Sequence, residues 1–197
     1  MPGAGHFFAK SFAFALILTA AGCGRPTPSD TTDIAGVMPR LAFAMTRAND
    51  DVAVTATNYR RSAVLLYFGY THCPDECPTT LANLASALKL LGPNAVRVRV
   101  LFITVDPARD TISVLKSYVN AFPPQIDGLR GSANAVATLA RRYRAIYDVT
   151  PSSAARSYSV THSDSVFMFD SSGRARFVTL QTNDTAALAR RIAQLWS

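Results

Sequence analysis

The chain has 197 residues, room for one ordinary domain and a short leader, and at 49% hydrophobic and 17% charged it has the composition of a globular protein. Its net charge is +7, or +6 once Lys10 is removed with everything before Cys23 (+7 less one lysine), a charge suited to solubility, with a mild preference for anionic lipid headgroups or an acidic partner as the weaker alternative. Arginines fall in ones and twos, as at Arg60-Arg61, Arg141-Arg142 and Arg190-Arg191, without interleaved aromatics, and this excludes a nucleic-acid platform.

Residues 1–22 read as a targeting signal. His6 and Lys10 flank the start of an apolar run from Ser11 to Ala21. About ten apolar residues are too few to cross a hydrocarbon core of roughly 30 Å as a helix, and they suit the h-region of a secretory signal. Small residues lead into Cys23, as in bacterial lipoprotein signals, where that cysteine carries the lipid anchor; ordinary cleavage leaving a free thiol is the alternative reading. Residues 23–37 are polar and proline-bearing, a flexible tether with little to bury. The expected location is extracytoplasmic, in a bacterial periplasm, on a membrane-anchored lipoprotein. The globular domain is expected over 38–197, its soluble part monomeric.

Leu41–Thr46 and Val52–Thr55 read as short strands joined by the turn chemistry of Asn49-Asp50-Asp51. Val64–Phe68 is continuously apolar, as in a strand covered on both faces. Leu81, Leu84, Leu88 and Leu91 recur at helical spacing, Gly92-Pro93 ends that helix, and Pro78 suits its first position. Val96–Val105 predicts a second buried strand. Asp110 or Thr111 can cap a helix with Ile112, Leu115, Tyr118 and Val119 inward. A further helix is expected over about 133–147, strands at Val166–Phe169 and Arg176–Leu180, and a last helix from about Thr185. Strand, helix, strand, helix, hairpin and helix is the order of a thioredoxin-like α/β fold: a central mixed sheet flanked by helices. The N-terminal β-hairpin is typical of its peroxiredoxin-like branch.

With Cys23 assigned to the anchor, two thiols remain. Cys73 and Cys77 lie between a buried strand and a helix start, where the positive helix end favours thiolate and where α/β folds place their sites. A disulfide closing so small a loop constrains little of the unfolded chain, so redox or metal chemistry is the better use. His72 adjoins Cys73 and is expected to point away from the sulfurs. His162 precedes the strand at Val166, near the place where thioredoxin-like folds usually carry a cis-proline, and no proline follows Pro151. Two thiolates and an imidazole suit copper, above all Cu(I), whereas a closed zinc site wants a fourth ligand. Met168 lies within an apolar strand and is assigned to the core.

Gly69-Tyr-Thr-His-Cys-Pro-Asp-Glu-Cys-Pro78, Val105-Asp-Pro-Ala-Arg-Asp110 and Val160-Thr-His-Ser163 resemble the signature blocks of the Sco family, in order and at similar separations. The resemblance runs from roughly Met38 to the C-terminus. It implies that Cys73, Cys77 and His162 bind copper, as Cu(I) or Cu(II). It implies a metallochaperone that helps assemble the copper A centre of cytochrome c oxidase, with the oxidase's subunit II or another copper-handling protein as partner. Asp75 matches an acidic position thought to influence copper handling, its alternative role being to bond local backbone N–H groups. Asp106 and Arg109 are expected to shape the adjacent loop.

The same thiols serve a thiol-disulfide reductase that keeps oxidase cysteines reduced, which has no need of His162. A peroxidase fits poorly, because a resolving thiol four residues away is unusual.

Overall fold

A computed structural model describes residues 1, 3, 31–151 and 158–196. Cys23 and most of the expected signal and tether lie outside the described residues. The strands and helices follow in chain order as β1 (Thr31–Asp33), β2 (Ala44–Arg47), β3 (Val52–Thr55), β4 (Ala63–Gly69), α1 (Glu76–Leu90), β5 (Val98–Thr104), α2 (Ile112–Val119), β6 (Ile126–Arg130), α3 (Ala133–Tyr143), β7 (Tyr147–Pro151), β8 (Tyr158–His162), β9 (Val166–Phe169), β10 (Ala175–Thr179) and α4 (Thr185–Ala193). Eight strands form one mixed sheet in the order β1-β10-β9-β4-β5-β6-β2-β3, and β7 and β8 form a separate antiparallel pair.

The continuous apolar runs lie where burial on both faces requires them. All seven residues of β4 are buried, and β4 and β5 pair in parallel from Ala63↔Val98 to Gly69↔Thr104. β6 continues the parallel set beyond β5, while β9 runs antiparallel on the other side of β4. Met168 is fully buried in β9, as expected for a core residue. Both β4 and β5 therefore end on the same rim, and the cysteine segment leaves β4 there.

Several elements differ from the sequence expectation. The helix after the cysteines begins at Glu76, so Pro78 is its third residue and not its first; it stays in the first turn, where no intrahelical N–H is required. Residues 92–97 form a 3-10 turn, and β5 starts only at Val98. Thr111 caps α2, its hydroxyl accepting from the Val114 N–H. The third helix stops at Tyr143, as Arg144 takes a left-handed conformation (φ 55°), leaving Tyr147 free to enter β7. Within the stretch read as tether, Thr31–Asp33 add an edge strand beside β10, and Ile34 is buried. None of the described helices is long and apolar enough to cross a membrane.

Candidate metal centre

The centre is assembled from three places on the rim. Cys73 is in the loop after β4, Cys77 is in the first turn of α1, and His162 ends β8. One donor atom from each can be chosen so that all three lie within 4.8 Å of one another. Both cysteines are free thiols.

Cys77 is fully buried and Cys73 partly exposed. The Cys77 N–H donates to the Cys73 sulfur at 3.3 Å, so the sulfur takes up one of the donors that a helix start leaves unpaired. Asp75 precedes the helix without a side-chain capping bond, so the alternative role weighed for its carboxylate is absent. Gly69 makes room for the second sulfur. A Cβ there would stand 2.7 Å from Cys77 Sγ and 2.5 Å from the Phe102 ring.

His162 is oriented through its other nitrogen. Nδ1 lies 3.2 Å from the Ser163 carbonyl oxygen, and an Nδ1–H donating there leaves the Nε2 lone pair facing Cys77 Sγ at 3.2 Å. Tyr67 and Tyr70 present their rings edge-on to the imidazole at 5.9 and 5.8 Å, and the Tyr67 hydroxyl donates to Cys77 Sγ at 3.7 Å. These aromatic walls help to cover Cys77 and His162, while Cys73 stays partly open to solvent. Burial pushes the Cys77 thiol up to about 12, outweighing the Tyr67 hydroxyl that favours its thiolate. The expectation that the helix end makes this thiol acidic therefore fails for Cys77, because desolvation dominates. A metal held by this sulfur would take the place of its proton, since a coordinating thiol gives up its proton outright.

His72 stays outside the cluster, as expected. Its side chain is 53% exposed, and Nδ1 is 3.1 Å from the Thr71 hydroxyl. Asp106 and Arg109 do shape the neighbouring loop. Arg109 Nε donates to the Asp106 carboxylate, the Tyr158 hydroxyl donates to it at 2.5 Å, and the Arg109 guanidinium lies 3.9 Å from the Tyr158 ring centre. Tyr158 begins the strand that His162 ends, so this contact pins the histidine-bearing strand to the loop after β5. Asp110, considered above as a cap, is instead fully buried; it accepts from Thr71 N (3.0 Å), the Thr71 hydroxyl (2.6 Å) and the Thr104 hydroxyl (2.6 Å). It ties the cysteine loop to β5. Neither Tyr158 nor this role of Asp110 carries a signal in the sequence, because both contacts depend on how loops fold together.

Fold and donor set together define a thioredoxin-like α/β domain whose strand-end rim carries three side chains that could hold a soft metal. The chain belongs to the SCO1/SenC family, whose model matches residues 40–197. It is 42% identical over 118 residues to the mitochondrial SCO2 homolog of Bos taurus, covering 59% of this chain and 44% of that protein. The chain thus spans less than half the length of that curated relative. Among solved structures, Bradyrhizobium japonicum ScoI with copper bound is similar at 32% identity and a TM-score of 0.69, over 78% of this chain and 98% of that one. Yeast Sco1 with copper bound is similar at 30% identity and a TM-score of 0.70, over 79% and 88%.

Proposed function

We propose that the protein is a copper metallochaperone, anchored to a bacterial membrane through Cys23, that assists assembly of the copper A centre of cytochrome c oxidase. The observation that carries the reading is the convergence of Cys73, Cys77 and His162 to within 4.8 Å, although the histidine lies 85 residues beyond the second cysteine. Two sulfurs and one imidazole nitrogen match the preferences of copper, and relatives of this domain have been solved with copper bound. The partly exposed sulfur of Cys73 is the open side of the centre, through which copper is exchanged with a partner such as the oxidase's subunit II. Asp75, exposed beside it, has no capping duty and is free to meet that partner.

A thiol-disulfide reductase is the second reading, favoured by one feature. Cys73 is accessible and Cys77 is buried behind it, the arrangement of an attacking thiol and its resolving partner. His162 separates the two. Exchange between sulfurs depends on thiolate fraction, leaving group and access, and needs no imidazole ligand. His162→Ala is expected to keep reduction of a model disulfide within about threefold, to weaken Cu(II) binding more than about tenfold, and to abolish copper loading of the oxidase in cells. Normal oxidase assembly with His162→Ala would assign the function to the thiols alone.

A further inference from the structure

The charge of this molecule is unevenly placed. β4 and β5 start side by side at the end remote from the metal centre, and β9 finishes there, with Phe169 opposite Val64. Arg60 and Arg61 lead into β4, Lys89 stands near the end of α1, Arg97 leads into β5 and Arg174 into β10, all exposed. The Arg61 N–H donates to the Ser171 carbonyl at 3.0 Å, joining two of these segments directly. Among the described residues, none of the five pairs with a carboxylate. The carboxylates at this end are fewer: Asp170 is taken up by the Ser172 and Arg174 N–H groups and by Arg176 at 3.6 Å, Asp50 in the turn after β2 is paired with Arg47 at 2.6 Å, and Asp51 beside it is exposed.

Apolar side chains stand among these cations. Leu90 is 60% exposed beside Lys89, and Val96 is 72% exposed beside Arg97. Arg61 has φ 72°, a conformation that favours glycine, and yet a cation occupies it. At the opposite rim, Asp75 and Glu76 are exposed next to the metal centre.

We propose that this cationic end is a docking surface for an anionic lipid bilayer. Phosphate headgroups attract the arginines and lysine, each basic side chain near such a surface strengthening binding by about fivefold, while Leu90 and Val96 enter the interface. The acidic rim is repelled, so the metal centre faces away from the lipid towards its partners. β4 separates the two ends by about 20 Å. The idea does not depend on lipidation of Cys23. From Cys23 to Thr31 the chain reaches about 27 Å when extended, enough to leave either end free to meet the membrane, so charge decides the orientation.

The test uses the full chain and its single tryptophan, Trp196, which follows α4 as that helix runs from beside Thr179 towards the cationic end. Trp196 emission is read in vesicles of phosphatidylcholine alone and of phosphatidylcholine with phosphatidylglycerol, both with brominated acyl chains. The expected result is at least about threefold more quenching in the anionic vesicles, lost at roughly 0.5 M salt, where screening acts within a few ångströms. The double variant Lys89→Glu, Arg97→Glu is expected to return quenching to the phosphatidylcholine level while copper binding is unchanged. Equal quenching in both lipids, or quenching indifferent to the charge reversal, would overturn the proposal. So would a response to a soluble polyanion such as heparin but not to phosphatidylglycerol.

Discussion

Cys77 and Cys73 are two residues of one motif in two environments. The buried sulfur is packed against Gly69, Phe102 and Tyr67, and its thiol is pushed up to about 12 by desolvation, while its partner is partly open to solvent. Thiol reagents attack the thiolate and need access. In the reduced, metal-free protein, a maleimide at neutral pH is expected to modify Cys73 at least about tenfold faster than Cys77, as peptide mapping would show. Equal rates would mean that Cys77 is not held in the pocket described. His72 provides the complementary control. It lies next to Cys73 in sequence but points to Thr71 and solvent, so His72→Ala is expected to leave copper affinity within about twofold in a competition titration.

The elements explain why these side chains meet. Glycine at position 69 ends β4 where a sulfur and an aromatic ring both press on the backbone. Gly69→Ala is expected to lower stability by about 1–3 kcal/mol in denaturant unfolding and to weaken copper binding, because either Cys77 or Phe102 must move. An unchanged midpoint and affinity would show that the contact relaxes freely. Arg61 makes the opposite case: its left-handed backbone favours glycine, so Arg61→Gly is expected to raise stability by about 1 kcal/mol. The same elements show how far the sequence could be read. β4 and β5 were legible because burial on both faces demands unbroken apolar runs. β6 was not, since Asp127 and Gly128 interrupt its five residues. Nor were β7 and β8, which pair only with each other and keep several residues exposed, as ordinary loop would. The three candidate donors, which the fold brings within 4.8 Å of one another, were legible because their types and spacing are chemically unusual. Tyr158 and Asp110 were not, since their partners lie 52 and 39 residues away and are brought close only by the fold.

At the scale of the whole molecule, the three candidate donors come from separate parts of the fold: the cysteine loop, the start of α1 and the β7–β8 pair. A ligand that binds only the folded form stabilises it by mass action, so copper is expected to raise the melting temperature of the reduced protein and not of a Cys73→Ser, Cys77→Ser double variant. The most direct test of the central claim is a Cu(I) titration of the reduced full chain against a competing chelator, with X-ray absorption of the product to count its sulfur and nitrogen ligands. The expected result is one copper per chain with two sulfurs and one imidazole nitrogen, tight binding being lost in either single cysteine variant. Full-strength binding by the double cysteine variant, or a product without sulfur ligands, would contradict the account.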